Sequence, residues 1–417
     1  MRYDELASSN NLEAAKSPII EITKDLFFVG CHDPHLKIFD IIMYTDYGTT
    51  YNAYLLKTSE GVILSECVKD KFFEDYLNRV QSLCSLDDIK YIIVNHTEPD
   101  HVGAVRLLLE KAPHITVVGS PIAIKYIGNM INAPFNSKVV KDGEELTLGD
   151  KTIRFISVPQ LHWPDSMYSY IVNNKALLTC DSFGAHYSDY DVLISKLPEK
   201  NLEAYKESYK YYFDMIMGPF KPFVQKALAK IKDLDIDCIC PGHGMILDDN
   251  SKEKYIALYD EWSKPVTKTH PQIIIAYVSA YGYTKTMAEA IAEGIKESSY
   301  SGDVTMFNLE SDKIDDVLAV LPDADGLLLG TPTILAEALP PILQLLACLN
   351  PVMHKSITMG AFGSYGWSGE GPIHVQERLK QLKAPIPLEP LCIEFKPSED
   401  QIEKAVEFGK NFAESLR

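Results

Sequence analysis

The stretch KYIIVNHTEPDHVG, residues 90–103, decides the fold and points to its chemistry. A β-type run, KYIIVN, leads without a break into two imidazoles and two carboxylates within six residues. These four side chains are His96, Glu98, Asp100 and His101. In an extended or turning segment the first two point to the same side, and the other two lie one step further along. One loop can therefore ligate two neighbouring metals, with Gly103 letting the next helix begin close to the site.

A simpler interpretation of this stretch is a polar strand-to-helix loop, in which Glu98 and Asp100 only cap a helix that starts near Val102. Three later signals argue against it, because each also places a potential ligand just after a β-type run. They are His162 in LHWPD after TIRFISVPQ, Asp181 after ALLTC, and His243 in PGHG after IDCIC. The sequence therefore predicts four strand ends that deliver ligands to a single two-metal centre.

Short β-type runs alternate with helical stretches on both sides of these motifs, which predicts a mixed α/β fold. The segment EWSKPVTKTHPQ, residues 261–272, has two prolines and little apolar content, so it is predicted to be a linker. Beyond it, five β-α repeats indicate a doubly wound parallel sheet. We therefore predict two domains, residues 1–264 and residues 265–417.

Three loops of the second predicted domain follow strands and carry its candidate binding residues. The first loop opens a helix with hydroxyls and free amides, which together can bind a phosphate, and Gly282 lets the backbone wrap closely around that phosphate. Ordinary strand-to-helix turns also contain such a pattern. It lacks G-x-G-x-x-G and the P-loop lysine, which disfavours dinucleotides and nucleoside triphosphates. Ligands of open α/β sheets bind at the carboxyl ends of the strands, so we expect the three loops to share one ligand. The candidate cofactor-binding residues are Ser279, Ala280, Tyr281, Gly282, Tyr283, Thr284, Thr331, Pro332, Thr333, Ile334, Leu335, Ala361, Phe362, Gly363, Ser364, Tyr365, Gly366 and Trp367.

Composition narrows the possible partners. The 417 residues are 46% hydrophobic, have a net charge of -18 and contain no lysine- or arginine-rich block, which argues against nucleic acid. No stretch, including the N-terminal MRYDELASSNNLEAAKS, has the apolar run of a signal peptide or transmembrane helix, so we expect no membrane partner and a cytoplasmic location. The acidic surface either docks a basic or mixed-charge redox protein or only keeps the chain solvated.

The eight cysteines are spread through the chain, several of them inside apolar runs. We expect reduced, buried thiols and no disulfide framework. Cys238 and Cys240 are separated by one residue, so they do not form the C-x-x-C pair of a redox or zinc motif.

The motifs HTEPDHVG, LHWPDS, CDSFG and PGHG, in this order and spacing, resemble the metallo-β-lactamase-fold domain of the flavodiiron proteins over most of residues 20–250. The resemblance implies an N-terminal αββα sandwich that holds two iron ions. Zinc hydrolases of that superfamily carry histidine where this sequence has Glu98, and the harder carboxylate oxygen favours iron. By the same resemblance, His96, Glu98 and His162 bind one iron, Asp100, His101 and His243 bind the other, and Asp181 bridges them.

The remaining histidines are expected to be surface or core residues. His186, five residues after Asp181, is the one for which we expect a supporting role beside the ligands. The others are His32, His35, His114, His270, His354 and His374.

The three loops of the second domain resemble the flavodoxin-like module of the same family, in which the first loop holds the FMN phosphate and the other two flank the isoalloxazine ring. Relatives resemble isoleucine-asparagine where this chain has Ile334-Leu335, so backbone contacts to the ring are expected there. Trp367 lies on a glycine-rich loop and is expected over the flavin edge and near the metal pocket. A plain surface aromatic is the alternative for Trp367.

The resemblance implies an oxidoreductase with two iron ions and FMN as cofactors. We expect four-electron reduction of O2 to water, for oxygen detoxification, because a reduced FMN and a diferrous centre hold two electrons each. Reduction of NO to N2O at the same site is the alternative. A zinc hydrolase and a non-enzymatic electron carrier are rival interpretations; Glu98 opposes the first, and an open set of seven ligands opposes the second.

The expected partners are O2 or NO as substrate and a separate electron donor. The donor is expected to be a rubredoxin-like protein or a flavin- or NAD(P)H-linked reductase. The resemblance also implies a head-to-tail homodimer, or a dimer of dimers, because in that family the FMN and the irons of one chain face away from each other.

Overall fold

The chain forms two compact units, Met1–Pro265 and Val266–Arg417. The N-terminal stretch in which no signal peptide is predicted lies outside the described residues, and so do three positions of the predicted linker, 266, 267 and 269. The computed structural model describes residues 19–249, 251–265, 268 and 270–416.

The first unit is built from short strands and helices. Its strands are β1 (Ile20–Thr23), β2 (Leu26–Phe28), β3 (Cys31–Asp33), β4 (Ile38–Phe39), β5 (Met43–Tyr44), β6 (Thr49–Tyr51), β7 (Tyr54–Thr58), β8 (Gly61–Ser65), β9 (Ile89–Val94), β10 (Thr116–Gly119), β11 (Asn136–Val139), β12 (Glu145–Leu148), β13 (Lys151–Ser157), β14 (Met167–Ile171), β15 (Ala176–Cys180) and β16 (Cys238–Pro241). Its α-helices are α1 (Phe73–Leu83), α2 (Pro99–Val102), α3 (Val105–Lys111), α4 (Pro121–Ile131), α5 (Leu202–Tyr212), α6 (Lys221–Ile231) and α7 (Ser251–Ser263).

Two sheets face each other in this unit. One has the order β1-β2-β7-β8-β9-β10-β11 and the other β12-β13-β14-β15-β16. Side chains of both sheets meet in one apolar layer, to which Ile93 of β9, Phe155 of β13 and Leu178 of β15 contribute. The neighbouring side chains, Ile92 and Leu177, point away from that layer into cores shared with helices. The alternation of strand side chains thus produces four layers, and the predicted αββα sandwich is confirmed.

The second unit contains β17 (Gln272–Tyr277), β18 (Asp303–Asn308), β19 (Ala324–Gly330), β20 (Thr358–Tyr365) and β21 (Leu391–Glu394). Its helices are α8 (Tyr283–Glu297), α9 (Ile314–Val320), α10 (Pro340–Cys348), α11 (Glu370–Gln381) and α12 (Glu399–Glu414). The sheet order is β18-β17-β19-β20-β21, and every pairing is parallel. Because β17 contributes Ile274 to one core and Ile275 to the other, both faces of the sheet are covered. The predicted doubly wound sheet is confirmed.

The cysteines agree with the sequence prediction in part. All eight are free, and five are buried, but Cys348 is exposed and Cys84 and Cys392 are half-buried. The expectation of uniformly buried thiols is therefore wrong for Cys348. This residue lies at the last position of α10, where the side chain is exposed to solvent. Within the described part of the chain, no helix has both the length and the apolar character needed to cross a membrane.

Candidate metal centre and flavin site

Four strand ends of the first unit meet at one place. The polar loop that begins at Asn95 follows β9, Asp181 follows β15, and His243 follows β16, whose Pro241 pairs in parallel register with Cys180. The loop after β13 carries His162 and returns to β14, where the Met167 amide donates to the Asn95 carbonyl at 2.9 Å. All seven predicted metal ligands are thereby brought together, in two groups.

The first group is formed by His96, Glu98, His162 and Asp181. His162 Nε2 lies 2.9 Å from Glu98 Oε2 and 3.0 Å from Asp181 Oδ2. His96 Nε2 lies 3.3 Å and 3.5 Å from the same two oxygens. Two ligand atoms that each lie about 2.1 Å from one metal and subtend a right angle are about 3 Å apart, so these distances suit one shared ion.

The second group is formed by Asp100, His101 and His243. His243 Nε2 lies 3.0 Å from Asp100 Oδ2, and His101 Nε2 lies 3.5 Å from it. Asp181 also reaches this group, but with its other oxygen, since Oδ1 is 2.8 Å from His101 Nε2. A carboxylate that turns one oxygen to each group has the geometry of a bridge between two metals.

The backbone of the ligand loop differs from the predicted extended segment. Asp100 and His101 lie on the short helix α2, with Pro99 at its first turn. Gly103 has an ordinary right-handed φ of -52°, so glycine is not needed there for the backbone conformation. It is needed for close packing, because a Cβ there would lie 2.6 Å from the Pro99 carbonyl oxygen. The helical turn directs Asp100 and His101 toward the second group, which an extended chain of alternating side chains would not do.

The centre combines buried acids with imidazoles. Burial alone would raise the pKa of Asp181, but His101 and His162 hold it well below its ordinary value. Burial would lower the pKa of His162, yet its hydrogen bonds to Asp181 and Glu98 raise it to about 10. The pKa of His101 is likewise raised to about 10, because Asp100 and Asp181 outweigh its burial. The positive charge of the protonated imidazoles thus balances the negative charge of the carboxylates. Two divalent cations would supply that positive charge in place of the protons.

Several buried ligand atoms make no hydrogen bond of normal geometry within the described residues, although some of them lie in ion pairs. They are both carboxylate oxygens of Asp100, Asp181 Oδ1 and both ring nitrogens of His101. Buried polar atoms without hydrogen bonds are costly, and metal coordination is one way to satisfy them. The donor set of four imidazoles and three carboxylates, rich in hard oxygen, therefore fits two iron ions.

Residues outside the motifs hold the candidate ligands in place. His243 Nδ1 lies 2.5 Å from the Thr50 carbonyl oxygen, and His96 Nδ1 lies 3.4 Å from Ser166 Oγ. Thr97 Oγ1 donates to Asp165 at 2.7 Å, beside His96. Sequence reasoning missed these supports, because no spacing rule connects residue 50 with residue 243.

His186 lies where a supporting residue was expected. Its ring centroid is 5.2 Å from that of His243 and 4.3 Å from that of Phe39, and its Nδ1 is 3.0 Å from Thr49 Oγ1. Burial and the neighbouring His243 hold the pKa of His186 well below its ordinary value. A neutral His186 therefore packs against the candidate ligand His243 without adding charge.

Two further acids beside the centre were also missed. Asp40 lies in the turn between β4 and β5, where burial and the charges of Glu98 and Asp100 raise its pKa to about 6. Glu66 is buried directly after β8. The same strand-end rule that found His96 could have found Glu66, whereas no sequence signal connects Asp40 to the ligands.

The first candidate flavin loop lies between β17 and α8. Gly282 has a left-handed φ of 82°, so glycine is needed for the backbone turn, and a Cβ there would meet no atom of the described residues within 4 Å. Thr284 is buried, and its hydroxyl lies 2.9 Å from Ser364 Oγ. The Ser279 hydroxyl accepts from the Lys285 amide at 3.1 Å. Amides at the start of a 15-residue helix with flanking hydroxyls fit a phosphate.

The second loop ends in a tight turn. Ile334 and Glu337 exchange backbone hydrogen bonds, and the two residues between them, Leu335 and Ala336, have φ values of 56° and 58°. This is a type I′ turn, which glycine and asparagine normally occupy. Leu335 is 95% exposed. Thr331 is buried and Thr333 is half-buried, and the Thr333 amide donates to the Ser364 carbonyl at 3.2 Å.

Part of the predicted third loop is strand. Ala361 and Phe362 lie inside β20 with their side chains in the two cores of the second unit, so only their backbone is available to a ligand. Trp367, beyond the strand, is fully exposed with a left-handed φ of 77°. Tyr281 on the first loop is 80% exposed. Both aromatics are therefore outside the core, as expected for Trp367.

Comparison with known families assigns the two units separately. The family described as "ODP family beta lactamase" matches residues 49–244, and the family described as "Flavodoxin" matches residues 275–409.

Full-length relatives cover both units. The flavo-diiron protein FprA2 of Clostridium acetobutylicum is 39% identical over 409 residues, which are 96% of this chain and 100% of the relative. A type A flavoprotein of Rhodobacter capsulatus is 37% identical, with coverage of 95% and 91%. Among solved structures, the rubredoxin oxygen:oxidoreductase of Desulfovibrio gigas is similar with a TM-score of 0.68, 26% identity and coverage of 96% and 98%. The flavodiiron protein of Giardia intestinalis is similar with a TM-score of 0.66, 26% identity and coverage of 95% and 96%.

Proposed function

The chain belongs to the flavo-diiron protein family, and from that premise we propose that it reduces dioxygen to water. The protein is an oxidoreductase of a family that acts on O2, NO or both, with FMN and a diiron centre as cofactors. The observation that carries the proposal is the Asp181 carboxylate, which turns one oxygen to each of two ligand groups. A bridged pair of metals suits a substrate that must take up several electrons at one place.

We assign the ligands as the motifs suggest. Glu98 contributes a hard oxygen donor to the first group, which favours iron over zinc and so opposes the zinc hydrolase. When bound, the irons and the flavin together supply the four electrons that one O2 needs to become two waters. His96, Glu98 and His162 would hold one iron, Asp100, His101 and His243 the other, with Asp181 between them.

Burial restricts access to the centre. The side chains of His96 and His101 are fully buried, whereas those of Glu98 and His162 are 15% and 16% exposed. A small substrate therefore reaches the centre past Glu98 and His162. The enclosed remainder keeps bulk water away from the ligands and preserves the strength of their electrostatic interactions.

The second unit would hold the flavin with backbone and hydroxyl groups. The amides at the start of α8, with Ser279 and Thr284, suit the phosphate. The Thr284 hydroxyl also contacts Ser364, so the phosphate loop and the end of β20 are held together. Leu335 and Trp367 present exposed apolar surface at the same edge of the sheet, where a flat aromatic ring would bind.

A separate electron donor and a head-to-tail dimer belong to the same proposal. Each unit exposes apolar side chains beside its site, Ile41 and Tyr44 on the β4–β5 hairpin and Leu335 and Trp367 on the flavin loops. Exposed apolar side chains grouped in this way are typical of surfaces that contact another protein. Sedimentation velocity will test the dimer, because a sample that stays monomeric and keeps full turnover with an external donor would contradict it.

Gas consumption by the reduced protein tests the function. Purified protein is expected to contain about two irons and one FMN per chain, and to consume O2 without releasing hydrogen peroxide when a chemical or enzymatic donor reduces it. Parallel rates with NO decide the preferred gas. Zinc in place of iron, or peroxide as the main product, would overturn the proposal, and faster consumption of NO would replace it with NO reduction.

A further inference from the structure

The turn that ends the second flavin loop has a conformation that its residues disfavour. Leu335 and Ala336 both have left-handed backbones, with φ values of 56° and 58°, and this conformation is strained for any residue with a Cβ. Leu335 is 95% exposed, so its side chain gains almost no burial within the described fold. Glycine or asparagine would form the same turn with little strain. A strained turn of this kind persists only where neighbouring contacts hold it.

The chain that enters the turn is fixed against the first turn of α11. The Gly371 amide donates to Thr333 Oγ1 at 3.0 Å. A Cβ at Gly371 would lie 3.0 Å from the Pro332 carbonyl oxygen and 3.4 Å from that of Glu337. The loop and the helix are therefore in close contact, and glycine at residue 371 permits this approach.

The chain that leaves the turn is fixed by the side chain of Glu337. Its Oε1 accepts from the Ala338 amide at 2.8 Å and lies 3.0 Å from His374 Nδ1, about one helical turn after Gly371. Burial would raise the pKa of Glu337, but the Ala338 amide and His374 hold it below its ordinary value. A charged carboxylate thus joins the end of the turn to α11.

We propose that Glu337 and His374 form a latch, which holds the strained turn in the shape that receives FMN and makes both residues positioning residues for the cofactor. The proposal rests on the flavin loops of the proposed function. When a protein has its binding shape only part of the time, its apparent affinity falls in proportion to that fraction. The strain at Leu335 and Ala336 lowers the fraction, and the latch raises it. Leucine and alanine at the turn are then explained, because residues that disfavour their local structure are expected at binding sites.

A plain surface ion pair is the competing explanation, since the side chains of His374 and Glu337 are 47% and 46% exposed. The same helix offers a matched control. Lys380 Nζ lies 2.7 Å from Glu377 Oε1, with side chains 47% and 58% exposed. That pair lies within α11, so Glu377→Ala removes a similar contact without touching the turn.

The test is the dissociation constant of FMN, measured by fluorescence titration of the full-length protein after flavin removal. H374A is expected to raise it about threefold, as for a partly exposed pair, and E377A to leave it unchanged. H374N keeps a donor near the position of Nδ1 and should retain most of the affinity. E337A also removes the acceptor for the Ala338 amide, so we expect about a five- to tenfold rise. No effect of H374A, or the same loss in H374N, would overturn the latch.

A double-mutant cycle separates the latch from effects inside α11. His374 also lowers the pKa of Glu370, four residues earlier on the helix, so H374A changes more than one contact. In the E337A background, H374A should add less than about a twofold change, because the partner of the latch is already missing. An equal effect of H374A in both backgrounds would assign it to the helix and overturn the proposal.

Relief of strain is the sharper test. Ala336→Gly lets the turn form without the left-handed penalty, so the binding shape should stay populated without the latch. In the A336G background, H374A should therefore change the dissociation constant by less than about 1.5-fold. An undiminished threefold effect there would show that His374 does not act through the turn, and would overturn the proposal.

Hydrogen–deuterium exchange of the flavin-free protein gives a second readout. The amides of Ile334 and Glu337 bond across the turn, so H374A should speed exchange in the peptide that spans them, and A336G should reverse this. Unchanged exchange in H374A would contradict the latch. None of these measurements uses gas consumption. A protein whose FMN affinity depends on His374 as expected, but which reduces neither O2 nor NO, would refute the proposed function and leave the latch supported.

Discussion

The two sites of this chain use opposite kinds of binding groups. The candidate metal centre is made of seven ionisable side chains, most of them buried, which four strand ends of a sandwich bring together. The candidate flavin-binding residues include no histidine, lysine or carboxylate and offer hydroxyls, amides and exposed apolar side chains instead. Buried charges require particular residues, whereas a backbone cradle accepts many sequences. The metal centre should therefore be sensitive to single side chains and to pH, and the flavin site much less so.

Asp181→Ala is expected to have the largest effect. It removes the carboxylate that faces both ligand groups, so iron affinity should fall by more than about a hundredfold while FMN remains bound. Metal analysis and flavin absorbance on the same sample will measure both. Asp189→Ala, which removes another buried carboxylate, is the control. Stoichiometric iron in the Asp181 variant would remove the bridging assignment.

The pH dependence of metal uptake follows from the raised pKa values of His101 and His162, both about 10. Below that pH both rings carry protons in the metal-free protein, and each must lose one to bind a metal. The binding constant for two ferrous ions should therefore rise by about a hundredfold per pH unit between pH 7 and 9. FMN affinity should change little over this range. Calorimetry in buffers of different ionisation enthalpy counts the protons, and uptake without proton release would contradict the expectation.

Gly242→Ala tests how tightly the centre is packed. A Cβ at this position would lie 2.6 Å from His101 Cε1 and 3.2 Å from Asp181 Oδ1. Overpacking of this kind costs about 1–3 kcal/mol, so we expect roughly tenfold weaker iron binding and unchanged FMN affinity. Gly128→Ala is the control, because Gly128 is not in the left-handed region and a Cβ there would make an ordinary contact, 3.8 Å from Phe135 Cε1. Normal iron affinity in the Gly242 variant would show that the ligands tolerate displacement.

Thr284→Ala should affect the opposite site. The buried hydroxyl contacts Ser364 and faces the proposed phosphate cradle, and loss of such a group costs about 1–1.5 kcal/mol. FMN should dissociate about tenfold more readily, with the iron content unchanged. Thr284→Ser keeps the hydroxyl and should retain wild-type affinity, as fluorescence titration of FMN will show. Equal losses of iron and FMN would mean that the two sites are not independent.

The smallest expected effect is stabilising. Leu335→Asn with Ala336→Gly places residues that favour left-handed backbone in the type I′ turn, which should stabilise the FMN-free protein by about 1 kcal/mol. Thermal unfolding will measure this gain, with Lys383→Gly as a control at another left-handed position. If the exposed leucine contacts the flavin ring, FMN affinity should fall while stability rises. A gain in stability with unchanged FMN affinity would make Leu335 a plain surface residue.

Sequence reasoning predicted the longer strands, the fold of both units and the convergence of seven candidate ligand side chains, because those features leave periodic or strand-end signals. It did not predict the β4–β5 hairpin, whose two-residue strands are too short to show alternation. Asp40 lies in that hairpin, so its position beside the candidate metal centre was not predicted either. Glu66 and Thr50 were missed for another reason, since their partners are set by how sheets pack rather than by distance along the chain. The flavin-binding residues were harder to predict from side-chain type, because Ala361 and Phe362 face the core and present only their backbone to a ligand.

The distribution of cysteines makes this protein convenient to label. Cys348 is exposed at the end of α10, whereas burial raises the pKa of the half-buried Cys84 to about 11 and also that of Cys392. Thiol reagents attack the thiolate, so a raised pKa and restricted access both slow the reaction. A maleimide dye or spin label will therefore react first at Cys348, without any mutation. That label reports on the flavin-binding unit and leaves the iron ligands untouched.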